Sequence, residues 1–233
     1  MLPKIEYPTY TIKVPSTGKA AKFRPFLVKE EKLLLMAKES QSSSDILSAV
    51  KQVVNNCSLE KSIDVNKITI FDLEYIFLKL RAYSVDNITK VAYVDDEDKK
   101  TYNFSIDLNT VEVEFPEKIN NTIKINDNLI IKMRYPMASL YDDEDFLSLK
   151  TDQFFELIAR CVECIAEGDE VHDKFTLEEI KEFLDKLDTK TFEAIQKFLL
   201  TVPTLKHVLE YKNSNGKDRK ITLRSLNDFF SLR

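Results

Sequence analysis

The sequence contains no tryptophan, only three glycines and only two histidines in 233 residues. Each shortage removes a class of function. Three glycines leave little material for a phosphate-cradling loop, and neither GxGxxG nor GxxxxGK occurs. The two histidines, His172 and His207, cannot supply a multi-histidine metal site. Neither stands in a hydrolase motif, and GxSxG is missing. No apolar run approaches the roughly 20 residues that a membrane helix needs. The start, Met1-Leu2-Pro3-Lys4-Ile5-Glu6, lacks the apolar core of a secretory signal. Cys57, Cys161 and Cys164 make an odd number, which fits a reducing cytoplasm better than a disulfide framework. Lys plus Arg is 34 and Asp plus Glu is 39, so the net charge of −5 argues against a protein held to nucleic acid by broad phosphate contacts.

What is present suits a folded protein: 43% hydrophobic and 31% charged residues, in a chain long enough to bury a core without staples. Thr9 to Val14 alternates like a strand, Pro15-Ser16-Thr17-Gly18 reads as a turn, and Ala21 to Phe26 returns as a second extended piece. Val28 to Lys38 is built of good helix formers. Gln41 to Ser44 breaks that helix, and Ser44 or Asp45 is placed to cap the next. Ile46, Leu47, Val50, Val53, Val54 and Cys57 then share one helical face. Thr69 and Asp72 have capping-box spacing ahead of a third helix carrying Leu73, Ile76, Phe77 and Leu80.

The period changes near residue 88. Tyr102, Phe104 and Ile106, then Val111, Val113 and Phe115, then Leu129, Ile131, Met133 and Tyr135 alternate with polar residues, which predicts an antiparallel meander over 88–135. A polar link follows at Tyr141 to Asp145. Phe154, Leu157, Ile158, Cys161, Val162 and Ile165 then form one helical stripe, with Gly168 as its stop. Thr176 and Glu179 form a capping box for a helix with Ile180, Phe183, Leu184 and Leu187 inward. A further helix from Thr189 carries Phe192, Ile195 and Leu199 and stops at Pro203. His207 to Lys212 and Arg219 to Leu223 read as a hairpin around Asn215-Gly216, and Arg224 to Leu232 as a short terminal helix. The expectation is an α+β chain in two domains: residues 1–140, with helices and the meander, and residues 141–233, mainly helical and ending in the hairpin and short helix.

The candidate chemistry is thin. Cys161 and Cys164 form a CxxC, but it falls inside the helical stripe, where small core residues are the simpler reading. The acidic runs Asp95-Asp96-Glu97-Asp98 and Asp142-Asp143-Glu144-Asp145 lack the central glycine of a calcium loop and read as solvated turns. Lys212, Lys217, Arg219 and Lys220 cluster at the last hairpin, where a phosphate clamp competes with an ordinary solvated face. Leu33-Leu34-Leu35-Met36 turns through more than one helical face. It predicts either burial on two sides or one face in the core and one for a partner.

The string Phe23-Arg24-Pro25-Phe26-Leu27-Val28-Lys29-Glu30-Glu31-Lys32-Leu33-Leu34-Leu35-Met36-Ala37 resembles the signature near the start of the baseplate hub and hub-assembly proteins of T-even-type contractile-tail phages. Met133-Arg134-Tyr135-Pro136, Pro203 to Val208 and Ile221 to Phe230 resemble later parts of the same family, in order. In the family pattern the last hairpin carries a CxxCG turn. Aligned on Gly216, Lys212 and Asn215 stand at those positions here, so a zinc role does not carry over. The resemblance implies a non-enzymatic protein of tail morphogenesis that binds other hub or tape-measure proteins, without cofactor, metal, nucleic acid or membrane. It would act in the host cytoplasm during assembly, with a place in the tail baseplate if it is retained. A transient tape-measure chaperone is the alternative within that reading, and a cell-wall hydrolase using paired carboxylates is the alternative outside it. Self-association is left open. Phe23, Arg24, Phe26, Leu34 and Met36 are the expected partner-binding residues.

Overall fold

The computed structural model of the chain describes residues 5–40, 42–59, 62–117, 120–143, 146 and 152–230. Gln41 in the predicted helix break, Glu144 and Asp145 in the second acidic run, and Leu232 in the predicted last helix lie outside the described residues. The chain groups into two compact units, Met1–Glu114 with Thr204–Arg233, and Phe115–Pro203. The divisions fall at 114 and 203 rather than at 140.

The discontinuous unit opens with the antiparallel pair β1 (Tyr10–Lys13) and β2 (Ala20–Phe23), in register from Tyr10↔Phe23 to Lys13↔Ala20. Helices α1 (Val28–Glu39), α2 (Ser43–Cys57) and α3 (Ile70–Ser84) follow. Ser42, rather than Ser44 or Asp45, caps α2 by accepting the Asp45 N–H. Thr69 and Asp72 form a reciprocal capping box on α3. Asp72 also accepts from the Ser16 N–H and hydroxyl at 2.8 and 2.7 Å, which ties the β1–β2 turn to that cap. α3 is the core helix. Leu73, Ile76, Leu78 and Leu80 are fully buried on it, and it packs against α2, β1 and both strands of a ladder described below. Its Lys79 is buried too. The ammonium replaces water with the carbonyls of Leu108, Asn109 and Val111, at 3.2, 2.8 and 2.8 Å.

β3 (Ile88–Val94) and β4 (Thr101–Asp107) form a hairpin of their own. β5 (Glu112–Glu114) pairs instead with β10 (Thr204–Lys212), which pairs with β11 (Asp218–Leu223), so the order is β11-β10-β5. α7 (Leu226–Phe230) closes the unit with Phe229 fully buried. Glu74 of α3 accepts the Leu226 N–H at the start of α7. Burial raises its carboxyl to about 7, with a further push from Asp228.

The inserted unit has one four-stranded antiparallel sheet, β6-β7-β8-β9, from β6 (Thr122–Lys124), β7 (Leu129–Met133), β8 (Val162–Glu167) and β9 (Glu170–His172). Helices α4 (Gln153–Arg160), α5 (Leu177–Leu184) and α6 (Thr189–Leu200) supply the rest of its core. Ile131, Met133, Ile158, Val162, Ile180 and Ile195 belong to that core.

The chain is mixed α+β, but the predicted layout is wrong in two ways. The segment 88–135 is not one meander, because its strands are dealt to three separate sheets. Alternation marks a strand's two faces and says nothing about which edge it will pair with. The part after residue 141 is not mainly helical either. α4 ends at Arg160, and Val162–Glu167 is a strand laddered to β7, with a register shift at Lys132/Met133. Cys161, Val162 and Ile165 are buried whether the segment is helix or strand, so the apolar stripe could not separate the two. As a strand, Val162–Glu167 supplies the backbone partners for the side of β7 that β6 does not cover. Arg134 seals the break: its N–H donates to the Cys161 carbonyl at 2.7 Å and its guanidinium to the last helical carbonyl, of Arg160. Gly168 therefore stops no helix. It makes the β8–β9 turn at φ 58°, where an added Cβ would sit 3.1 Å from Asn128 Oδ1.

Candidate interaction surface

Pro25 ends the extended piece after β2, and Leu27 begins α1 in an extended conformation. Glu30 is the third residue of α1, so its carboxylate reaches back to accept the Leu27 N–H at 2.9 Å. That carboxylate is fully buried, and the Arg24 guanidinium meets it in a two-pronged contact at 3.0 and 3.2 Å. Arg24 also donates to the carbonyls of Pro25 and Asn56 at 2.9 and 2.8 Å, and its N–H to the Cys57 carbonyl at 2.9 Å. One arginine thus joins the end of β2, the start of α1 and the end of α2. Burial alone would raise the Glu30 carboxyl, but the bonds from Arg24 and Leu27 outweigh it and hold it below the ordinary carboxylate range.

The expected binding residues separate on this framework. Phe23 is fully buried, and Arg24 is committed to Glu30. Phe26 is half-buried, its ring 5.7 Å from that of Phe77. Leu34 is half-buried, and Met36 is 65% exposed. Two neighbours outside the expected set are also well exposed: Val28 at 78%, and Leu35, noted only as part of the Leu33-Leu34-Leu35-Met36 run, at 59%. Seven positions apart, they lie on one face of α1. Their sequence signal is that seven-residue spacing alone. α1 buries only Glu30 and Ala37, so among the described residues it is covered on one side.

Beside the start of α1 is a groove of about 450 Å³, lined by Tyr7, Phe26, Leu27, Val28, Ser84 and Val85 among others. The Phe26 N–H donates to the Ser84 hydroxyl at 2.8 Å, which fixes that wall. Tyr83 stacks flat on Tyr10 at 4.4 Å and is itself partly exposed. Together these make a surface with a projecting apolar part, Leu35 and Met36, and a hollow part, the groove, whose apolar walls are interrupted by Lys29 and Glu31.

The other candidates resolve into structure. The four cations at the last hairpin each meet a carboxylate: Lys212 with Asp218 at 3.9 Å, Lys217 with Glu97 at 2.5 Å, Arg219 with Asp95 at 3.0 Å and Lys220 with Glu210 at 3.5 Å. Each cation thus has an internal partner, although the side chains of Lys212, Lys217 and Lys220 stay largely exposed. The run Asp95–Asp98 is correspondingly no simple solvated turn. Asp95 accepts from the Tyr211 hydroxyl, from Arg219, and from the N–H groups of Glu97 and Asp98. Asp98 accepts from the Ser214 N–H and hydroxyl and from Tyr102. These bonds hold all three carboxyls, Asp95, Glu97 and Asp98, below their usual range, with the Tyr211 hydroxyl, Lys217 and the Tyr102 hydroxyl as the first partners. Cys161 lies in the core of the inserted unit, where burial pushes its thiol up to about 12, away from a reactive thiolate. Phe154 faces outward rather than into the core. With Phe155 it stands at 39% and 54% exposure beside a second groove, of about 270 Å³, between α4, α5 and α6.

Among the described residues no set of three or more His, Cys, Asp and Glu side chains could hold a metal ion, and no helix is long and apolar enough to cross a membrane. Comparison with curated proteins and with solved structures finds no match to the chain. A family model does match, over residues 7–231, and its span takes in the Arg24–Glu30 clamp, the inserted unit and the terminal hairpin. By that match the chain belongs to the family of T4 bacteriophage base plate proteins.

Proposed function

We propose that this baseplate-family protein serves at the hub of the tail, as a hub component or hub-assembly factor, and works by binding other phage proteins rather than by catalysis. The outer face of α1 with its adjoining groove is the surface that carries the reading. It offers exposed Val28, Leu35 and Met36 on a helix whose start is held rigid by the Arg24–Glu30 clamp. Apolar side chains on a rigid element suit a contact made by shape, and methionine adapts to its partner. The family supports a place in the tail, and the sequence signature favours hub assembly.

Quantitative mass spectrometry of infected-cell lysate and of purified virions tests this. A fixed copy number in the virion marks a hub subunit. Presence in lysate alone, bound to hub or tape-measure proteins, marks an assembly factor of the chaperone kind. Absence from both the virion and every tail intermediate refutes the proposal. Pure protein incubated with cell-wall sacculi is expected to release no soluble fragments, and release would favour a hydrolase.

A further inference from the structure

We infer that the free edge of β4 pairs with β4 of a second copy of this chain, antiparallel about a two-fold axis at Asn103. This does not rest on the reading of the α1 face. β3 and β4 stand as a two-stranded sheet. The Asp95 N–H donates to the Lys100 carbonyl at 2.9 Å and the Leu108 N–H to the Asn87 carbonyl at 2.7 Å, which fixes the phase of the ladder between them. The even-numbered residues of β4 therefore bond to β3, and the N–H and C=O groups of Thr101, Asn103 and Ser105 point away from it. These three residues are exposed, and among the described residues none of those groups has a hydrogen-bond partner. No other described element runs alongside β4. Edges elsewhere are guarded: β11 begins Asp218-Arg219-Lys220, β9 carries Glu170 and His172, and β3 carries Lys90 with α7 packed beside it. β4 has neither charge nor proline from Thr101 to Ile106, and an unguarded edge of that kind is a template for another strand.

A strand that pairs with its own copy must be complementary to itself. With the axis at Asn103, Asn103 faces Asn103 of the second copy and Thr101 faces its Ser105, so the outward N–H and C=O groups of each pair bond reciprocally. Two positions further out, Lys99 of each copy comes to Asp107 of the other. Lys99 is exposed and has no ion-pair partner among the described residues. Asp107 accepts from Asn87 and Asn109 on one carboxylate oxygen, which leaves its other oxygen open. A parallel pairing would instead set Lys99 beside Lys99 and Asp107 beside Asp107, so the charges select the antiparallel orientation. On the opposite face of the strand, Tyr102 meets Phe104 of the second copy on both sides of the axis. Both rings are half-buried against Tyr211 within one chain, and aromatic pairs of this kind stabilise neighbouring strands.

Sedimentation and light scattering of the full chain across the micromolar range test the inference. The wild-type protein is expected to dimerise. Asn103→Pro removes an outward N–H and leaves every β3–β4 bond in place, so it should weaken the dimer by about a hundredfold with the circular dichroism unchanged. Asn103→Lys alone and Asn103→Asp alone should each weaken it by about tenfold, since each sets like charges face to face at the axis. An equimolar mixture of those two variants should recover the wild-type affinity, because the heterodimer places opposite charges there. If the proline disturbs the hairpin, the two charge variants, at an exposed position, decide by themselves. A monomer throughout the range, a dimer indifferent to the changes at Asn103, or a mixture that stays as weak as its components would each overturn the inference. A monomer that captures a baseplate protein and loses it on Asn103→Pro would keep the edge as a contact and refute the second copy.

Discussion

Glu30→Gln removes one charge from the Arg24–Glu30 pair and little else. The amide can still accept the Leu27 N–H, so the start of α1 keeps its cap. Arg24 keeps the carbonyls of Pro25 and Asn56 but loses the anion that offsets its own desolvation. Breaking a buried ion pair from one side costs about 3–5 kcal/mol. The surviving carbonyl contacts place this case near the lower end, about 3 kcal/mol. For a chain of this size that corresponds to a fall of about 6–12 °C in Tm. Thermal and urea unfolding followed by far-UV circular dichroism measure it, with Arg24→Met and the double variant completing a thermodynamic cycle. The double variant should be more stable than the sum of the two single losses, because no charge is left unpaired. A loss below about 1 kcal/mol in Glu30→Gln, or additive losses in the cycle, would show that the signature's arginine and glutamate are not the clamp described. The pH dependence has a definite sign. The folded Glu30 carboxyl lies below its unfolded value, so its stabilisation is complete above the unfolded value and is lost as pH falls through the folded one.

Glu74 works in the opposite sense. Its carboxyl is raised from 4.5 to about 7, so stability declines as pH rises across that window, and Glu74→Gln should flatten the decline and raise Tm at pH about 8. An unchanged Tm-against-pH curve in the variant would count against the burial of that group. Asp95→Asn removes the anion shared by Tyr211 and Arg219, so amide exchange should accelerate across residues 207–223 with little change in α1 or α2. Uniform acceleration over the whole chain would instead make the contact a global one. Glu114 and Thr204 are register partners, so replacing residues 115–203 with Asn-Gly should join β5 to β10 in a tight hairpin and leave a cooperatively folding protein. A non-cooperative melt would show that the discontinuous unit depends on the insertion.

Local signals in this chain were legible wherever the physics is local. The capping boxes at Thr69/Asp72 and Thr176/Glu179 form as their three-residue spacing predicts, because donor and acceptor are brought together by one turn of helix. The last hairpin forms around Gly216, whose φ of 80° suits glycine. The segment after Arg160 was illegible because burial of Cys161, Val162 and Ile165 fits a helix and a strand alike. Among the candidate binding residues, Phe23 and Arg24 sit in the most distinctive string yet face inward. A distinctive string reflects any tight constraint, and here the constraint is a buried ion pair. Val28 and Leu35 stand out only once the covered side of α1 is known.

By itself, then, the sequence determined the helices that carry clear caps, such as those starting at Thr69 and Thr176, the hairpin around Gly216, and the family signature. Those properties depend on neighbours within a few residues or on composition. The tertiary structure alone decided which strands pair, that residues 115–203 interrupt another unit, that the acidic turn at 95–98 is the partner of the basic hairpin at 213–219, and which side of α1 is left open. Each of these depends on groups brought together from distant parts of the chain. Burial and hydrogen-bond satisfaction select among such arrangements only when the whole fold is present.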